Sequence, residues 1–206
     1  MIKGSKIGKE TSSKIGSVLK FLPIHPTSIT LISVILAISG FLVIYYERSL
    51  VSQMSAFALF LFAFLFDVVD GAIARAKNLV SKKGGFYDGI ADRLVEFLLI
   101  FSLVIIYSEI FNFEMIFVLI AILFFGTGMT SFVKAYSEHQ GILKNEEAKK
   151  LPGLLERAER SILLLLAMLM IILQQFDYAR IDLLAIAALS LITFLQRFVI
   201  VASKKE

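Results

Sequence analysis

The chain has 206 residues, of which 58% are hydrophobic and 18% charged, and its mean hydropathy is +0.83. A soluble domain is typically about 45–50% apolar and about 25% charged, so this composition predicts an integral membrane protein and excludes a disordered chain. The absence of cysteine excludes disulfide scaffolds, thiolate metal sites and thiol nucleophiles. The net charge of +4 indicates membrane topology first and no nucleic-acid partner.

The N-terminal segment, residues 1–25, is basic and only weakly apolar. It lacks the hydrophobic core of a cleavable signal peptide. Within it, residues 5–22 place isoleucines, leucines and a valine among lysines, which predicts an interfacial amphipathic helix lying on anionic lipid. Pro23 and Pro26 then interrupt the chain before the first apolar run. We therefore predict an N-terminal segment 1–25 followed by a membrane domain over residues 26–206.

Six stretches in that domain are apolar enough to cross a bilayer, which needs about 20 mostly apolar residues. Because the runs are continuous and do not alternate, they predict helices and not a β-barrel. The sequence therefore predicts an all-α integral membrane bundle of six transmembrane helices. Their approximate ranges are 27–46, 54–74, 89–107, 113–133, 161–174 and 181–201.

The basic residues are distributed unevenly between the two sides of this bundle. Of the 21 lysines and arginines, 19 fall on the side of the termini and of the second-to-third and fourth-to-fifth connections. Only Arg48 and Arg180 fall on the other side. The positive-inside rule therefore predicts a multi-pass protein of the cell membrane, with both termini and these two connections in the cytoplasm.

Four aspartates lie where the second span ends and the third begins. Asp67 and Asp70 are spaced i, i+3, and Asp88 and Asp92 are spaced i, i+4, so each pair shares a helix face. The chain between the pairs is short, and we expect a connection containing Ser81, Gly84 and Gly85 to form a hairpin. Four carboxylates would then meet near the cytoplasmic surface of the membrane.

Such a group of carboxylates requires a cation, since like charges repel. All-oxygen ligand sets suit Mg²⁺, Mn²⁺ or Ca²⁺, and a carboxylate-bound Mg²⁺ commonly also binds phosphates. Gly71, Gly84 and Gly85 would let a substrate approach the backbone closely. The alternative is a set of salt bridges with nearby basic residues, although an intramembrane ionisable cluster indicates a functional site first.

The segment around these aspartates resembles the signature of the CDP-alcohol phosphotransferase family, D-x2-D-G-x2-A-R-x8-G-x3-D-x3-D. All eight fixed positions match over 26 residues. The resemblance implies that Asp67, Asp70 and Asp88 bind a pair of Mg²⁺ or Mn²⁺ ions. It implies that Asp92 is the general base, with a contact to metal as well. The CDP-binding residues it implies are Asp67, Asp70, Gly71, Ala74, Arg75, Gly84 and Thr30.

Thr30 belongs to a second element, because family members often carry P-N-x-x-T at the first span. Here that segment reads Pro26-Thr27-Ser28-Ile29-Thr30, with Thr27 in place of the asparagine. A homodimer is implied by the resemblance alone. The chemistry implied is transfer of a phosphatidyl-type group from a CDP-linked lipid to an alcohol, with release of CMP.

The alcohol acceptor is indicated by basic residues away from the aspartates. Lys134 lies in a segment similar to S-Y-x-[KR]-A-x-x-E, and Arg157 and Arg160 lie in one similar to R-x-E-R; both elements are typical of phosphatidylinositol-phosphate and archaetidylinositol-phosphate synthases. Arg197 could reach the same pocket. Arginine suits phosphate recognition, so we predict an acceptor phosphate site at Lys134, Arg157, Arg160 and Arg197, and inositol phosphate as acceptor.

Three alternatives stay open. The acceptor could be glycerol phosphate, as in a phosphatidylglycerophosphate synthase, or the reaction could join CDP-inositol to inositol phosphate, as in a di-inositol-phosphate phosphate synthase. A divalent-cation channel or transporter is the non-enzyme alternative. His25 and His139 are interpreted as an interface residue and a solvated helix end, not as ligands.

Overall fold

The structure, a computed structural model, describes residues 25–110 and 113–204 together with residues 18 and 21. All regular elements within this part of the chain are helical. In chain order they are α1 (Pro26–Tyr46), α2 (Leu50–Ala76), α3 (Lys82–Ile110), α4 (Glu114–His139), α5 (Asn145–Lys149), α6 (Arg157–Ile172) and α7 (Phe176–Ala202). The predicted interfacial helix over residues 5–22 lies outside the described residues, apart from Val18 and Phe21.

Four of these helices, α1, α2, α4 and α7, are long and apolar enough to cross a membrane. The prediction of an all-helical protein with several membrane-spanning helices is confirmed at this level. The two other predicted spans correspond to α3 and α6. Helix α3 is 29 residues long but carries four charged residues between Asp88 and Glu96, and α6 is only 16 residues long.

The chain divides into two compact units between Ile106 and Tyr107. The first unit contains α1, α2 and most of α3. The second contains the end of α3 and the helices from α4 to α7. The four aspartates of the sequence motif fall in the first unit, whereas the four predicted phosphate-binding residues fall in the second.

In the first unit, α1 and α2 pack against each other along their lengths. The His25 side chain caps α1 by accepting from Thr27 N at 3.3 Å, and Pro26 occupies the first turn, where its missing N–H is not needed. Near the other end of α1, an added Cβ on Gly40 would lie 3.1 Å from the Phe60 ring. This close packing of two helices joined by a short connection places the start of α1 beside the end of α2.

The connection between α2 and α3 is shorter than we predicted. Asn78 turns the chain with φ 57°, and Leu79 N donates to Ala74 O at 2.9 Å to close the end of α2. Ser81 then accepts from Gly84 N at 3.0 Å, as an N-cap does. The prediction that Gly84 and Gly85 belong to the connection is therefore wrong, because this cap begins α3 before them.

In the second unit, α4 and α6 pack against α7. Helix α4 changes to π-helical geometry over Ile122–Met129 and returns to α-helix at Thr130. The side chains that these helices bury most completely include Leu119, Leu164, Met168, Leu183 and Ile186. Helix α4 ends at His139, beyond residue 133, where the predicted fourth span ends.

Candidate active site

Three of the four aspartates meet at the ends of α2 and α3. One carboxylate oxygen from each of Asp67, Asp70 and Asp88 lies within 4.8 Å of the other two. Helix α2 presents the first two on one face because they are three residues apart, and α3 brings Asp88 against them. Three converging carboxylates form an all-oxygen ligand set, so the residues present fit a hard divalent cation.

Thr30 fixes the most buried member of this group. Only 3% of Asp70 is exposed, and Thr30 Oγ1 donates to Asp70 Oδ2 at 2.5 Å across the α1–α2 contact. A hydrogen bond from a neighbouring side chain holds a ligating carboxylate in one orientation, which is the usual role of such partners around a metal. In the structure Thr30 therefore hydrogen-bonds a candidate metal ligand, Asp70. The role predicted for it from the sequence was CDP binding.

Arg75 folds back along α2 over Gly71. An added Cβ at Gly71 would lie 3.4 Å from Arg75 Nη1 and 3.6 Å from Nη2. The guanidinium therefore lies one turn closer to the aspartates than its own Cα does. An alanine at position 71 would therefore make ordinary van der Waals contact with the Arg75 guanidinium.

Asp92 lies one turn after Asp88 on α3 and outside the three-carboxylate group. Only 8% of it is exposed, and its Oδ2 lies 3.8 Å from Arg93 Nη1, which also donates to Gly89 O at 2.8 Å. The roles predicted for Asp92, general base and metal contact, stay predictions.

Glu96, a further turn along α3, is not among the predicted site residues. Only 1% of it is exposed, so it is more deeply buried than any aspartate of the motif. Asp88, Asp92 and Glu96 recur every four residues and share one face of α3. A charged residue among Leu94, Val95 and Phe97 was the available signal, because intramembrane ionisable residues indicate functional sites.

In the second unit, Arg197 is held by two backbone carbonyls from distant parts of the chain. Its Nη1 donates to Thr130 O at 3.0 Å and its Nε donates to Pro152 O at 3.1 Å. An added Cβ at Gly153 would come within 3.1 Å of Arg197 Nη2. A guanidinium has five N–H donors in a rigid plane, so these two bonds orient the group and leave donors for another acceptor.

Arg160 lies against Gly126, one turn along α4 from Thr130, whose carbonyl binds Arg197. Only 3% of Arg160 is exposed. It lies in the first turn of α6, which begins where Glu156 N donates to Glu159 Oε2 at 2.9 Å. Arginine side chains suit an anion with several acceptor oxygens.

Lys134 and Arg157 are both partly buried, the first in the last third of α4 and the second at the start of α6. Their roles in binding an acceptor stay predictions. Of the two histidines, His25 is the cap of α1, and His139 is exposed in the last turn of α4, where a basic side chain complements the helix dipole.

Comparison with known proteins identifies the family of this chain. A family model described as CDP-alcohol phosphatidyltransferase matches residues 23–202. The chain belongs to this family. The resemblance seen in the aspartate motif is thus confirmed over nearly the whole chain, and the protein is an enzyme, a CDP-alcohol phosphatidyltransferase. A Mg²⁺ or Mn²⁺ cofactor, as predicted, fits the carboxylates of Asp67, Asp70 and Asp88.

Two relatives match this chain in sequence. An archaetidylinositol phosphate synthase from Pyrococcus horikoshii is 30% identical over 189 residues, which is 92% of this chain and 89% of that protein. A bifunctional IPC transferase and DIPP synthase from Archaeoglobus fulgidus is 33% identical over 104 residues, half of this chain and 20% of that protein.

Solved structures show the same fold. A crystal structure of phosphatidylinositol phosphate synthase from Mycobacterium tuberculosis with CDP-DAG bound has a TM-score of 0.71 at 20% identity and covers 94% of both chains. The same enzyme in complex with manganese and citrate has a TM-score of 0.72 at 20% identity, covering 93% of this chain and 89% of that one.

Proposed function

We propose that this CDP-alcohol phosphatidyltransferase transfers a phosphatidyl-type group from CDP-diacylglycerol or CDP-archaeol to inositol phosphate and releases CMP. The observation that carries the choice of acceptor is a pair of arginines along α4: Arg160 is buried against Gly126, and Arg197 is oriented by two backbone carbonyls, one of them that of Thr130. Guanidinium groups suit an acceptor that brings its own phosphate, because their fork of N–H donors matches phosphate oxygens. The relative from P. horikoshii, named as an archaetidylinositol phosphate synthase, supports the same choice.

The motif residues would then bind the donor in two ways, through the metal ions and through direct contact with CDP. Asp67, Asp70 and Asp88 would hold the cations, one or two in number, and Thr30 keeps Asp70 in its ligating orientation. A bound divalent ion would neutralise the pyrophosphate and stabilise the departing CMP. The CDP moiety would lie against Gly71, Ala74 and Gly84, with the Arg75 guanidinium beside it.

The acceptor hydroxyl must lose a proton as its oxygen attacks the β-phosphorus and the bond to the CMP oxygen breaks. We assign that proton to Asp92, a largely buried carboxylate one turn from Asp88. Lys134, Arg157, Arg160 and Arg197 would hold the phosphate of the acceptor. Since phosphoryl transfer depends mainly on positioning and charge stabilisation, these groups supply most of what the reaction needs.

The second candidate is a di-inositol-phosphate phosphate synthase, which would use CDP-inositol as donor. The match to part of the bifunctional A. fulgidus protein favours it over other members of the family. Both candidates use inositol phosphate as acceptor, so they differ only in the alcohol that the CDP carries.

The deciding experiment measures CMP release by the purified protein with Mg²⁺ or Mn²⁺. CDP-diacylglycerol, CDP-archaeol and CDP-inositol are each paired with inositol phosphate, glycerol phosphate, serine and unphosphorylated inositol. Release with a CDP-lipid and inositol phosphate, but not with inositol, is expected. Release with glycerol phosphate alone would overturn the proposed acceptor, and release only with CDP-inositol would establish the second candidate.

We propose six spans with both termini and the aspartates on the cytoplasmic side, and a homodimer as the family resemblance implies. The Lys/Arg distribution and the length of α3 support this topology. Because the chain has no cysteine, single Lys144→Cys and Tyr178→Cys variants can be labelled without background. Labelling of Lys144→Cys only after permeabilisation, and of Tyr178→Cys in intact cells, is expected; the reverse pattern would refute the orientation.

A further inference from the structure

The π-helical segment of α4 lies where the buried arginine of α6 passes it. Gly126 is in the middle of this segment, Ile122–Met129. A Cβ added to Gly126 would lie 2.9 Å from Ser190 Oγ, 3.0 Å from Arg160 Cδ and 3.1 Å from Arg160 Nε. Both neighbours belong to other helices of the second unit, so three helices meet at this glycine with no room for a side chain.

Space, and not backbone conformation, is what requires glycine here. Among the described glycines only Gly141 has a positive φ, so alanine could adopt the backbone of Gly126 without strain. Gly128, in the same π-helical segment, provides the contrast: its added Cβ would meet only Leu123 O, at an ordinary 3.6 Å. The requirement for a missing side chain is therefore specific to the residue that faces Arg160.

The surroundings of Arg160 at this point are closely packed and polar. Ser190 is fully buried, and its hydroxyl has no hydrogen-bond partner among the described residues. Arg160 is itself 3% exposed, so its side chain cannot move away into solvent. Packed interiors deform little, and a displaced neighbour must shift within them. A methyl group at position 126 would therefore push on the Arg160 stem close to its guanidinium.

We propose that Gly126 is a positioning residue, which sets the place of the Arg160 guanidinium and thereby the affinity for the phosphate of the acceptor. This inference rests on the proposed role of Arg160 in acceptor binding. The π-helical turn is the means, since such turns are rare, insert an extra residue and are frequent at functional sites. Gly126 itself touches neither substrate; it acts through Arg160.

The test compares Gly126→Ala with Gly128→Ala, two identical changes within one segment. Steady-state rates are measured against acceptor and against CDP-lipid separately, with whichever phosphorylated acceptor the wild type uses. Because a misplacement of about 1 Å can cost on the order of 100-fold, we expect Gly126→Ala to raise the acceptor KM by about ten-fold or more. The CDP-lipid KM should stay within about two-fold of wild type, as should both constants in Gly128→Ala.

The inference is overturned if Gly126→Ala and Gly128→Ala have the same acceptor KM. It is also overturned if Gly126→Ala raises both KM values equally, since that indicates general loosening of the fold. Because the acceptor is the one that the wild type uses, a wild type that prefers glycerol phosphate would refute the proposed acceptor while leaving this comparison intact.

A second-site variant keeps the test valid if Gly126→Ala folds poorly. Removing the Ser190 hydroxyl with Ser190→Ala frees space at the closest of the three contacts, so the added methyl can move toward α7 and away from Arg160. The double variant Gly126→Ala/Ser190→Ala should be thermally more stable than Gly126→Ala and should have a lower acceptor KM. Ser190→Ala alone is the reference for both measurements. Recovery of stability with no recovery of KM would contradict the positioning role.

Discussion

The aspartate group of the first unit and the arginines of the second unit carry opposite charges, and the two sets of residues are held in place differently. In the first unit, the three meeting carboxylates come from one short stretch, Asp67 to Asp88, at the ends of two consecutive helices. In the second unit, Arg197 is held by carbonyls 45 and 67 residues away. The acidic site is thus a local feature of sequence, whereas the basic one depends on tertiary packing.

This difference predicts different kinetic effects. Changes to the acidic residues should alter metal dependence and turnover, because they affect charge stabilisation at the reacting phosphorus. Changes to the basic residues should alter mainly the KM of the phosphorylated acceptor, because they remove binding that is present before the reaction as well. An acidic-residue variant that changes only the acceptor KM, or a basic-residue variant that changes the metal dependence, would contradict this division of roles.

The largest effect is expected from Asp70→Asn, which keeps the shape of the most buried carboxylate and removes its charge. Even residues that only support metal ligands typically cost about 10–100-fold when changed, so turnover should fall by more than about 100-fold. CMP release as a function of Mn²⁺ concentration checks this. Asp177→Asn, an exposed aspartate in the first turn of α7, is the control and should behave as wild type. Turnover retained in Asp70→Asn would remove this aspartate from the metal site.

Arg197→Gln should follow, with its effect on the acceptor. A hydrogen bond to a charged group is worth about 1.5–3 kcal/mol, so the acceptor KM should rise by about 10–100-fold while the Mn²⁺ dependence stays unchanged. Arg180→Gln is the matched control, because Arg180 is an exposed arginine of the same helix. It lies near the start of α7, where it contacts Glu114 at 3.6 Å, whereas Arg197 lies near the end. An altered Mn²⁺ dependence in Arg197→Gln would show that the two charged groups do not have separate tasks.

The contrast also explains how far the sequence could be interpreted. The aspartates could be predicted because helix periodicity places residues three and four apart on one face, whatever the rest of the fold does. The carbonyl partners of Arg197 could not be predicted, because Thr130 and Pro152 are far from it in sequence and no pattern of residues links them to it. The π-helical turn at Gly126 was equally hidden, since nothing in the local sequence distinguishes Gly126 from Gly128.

Helix ends were intermediate in difficulty. Ser81 is a recognisable N-cap residue, yet the glycines after it suggested a longer connection. Glu96 was overlooked because it lies beyond the family motif, although its position among apolar residues was visible. Thr30 was identified through a motif, but its contact with Asp70 requires the packing of α1 on α2.

Thr30→Val should have a smaller effect than either charge change, and it extends the acidic side of the comparison to α1. Valine keeps the shape and removes the hydroxyl that donates to Asp70, so we expect about a ten-fold rise in the Mn²⁺ concentration needed for half-maximal rate. The acceptor KM should not change. Ser39→Ala is the control, because Ser39 bonds only its own helix at Ile35 O. Equal Mn²⁺ requirements in the two variants would exclude a supporting role for Thr30.

The smallest effect is expected from Glu147→Gln, which tests whether charge outside the two sites matters. Lys204 binds Glu147 at 3.1 Å, and this hydrogen bond lowers the pKa of the glutamate. A lowered folded-state pKa contributes stability above the unfolded pKa of about 4.3 and loses it as the pH falls through the folded value. Because the pair is exposed, that contribution is small.

The unfolding midpoint of Glu147→Gln at pH 7 should therefore be hard to separate from that of wild type, and any difference should disappear in acid. Both KM values should also match. Glu146→Gln, whose partner is Lys149 at 3.0 Å, is the paired control. A changed acceptor KM in Glu147→Gln alone would mean that Lys204, released from its partner, competes for the acceptor phosphate, and the basic site would then extend beyond the four predicted residues.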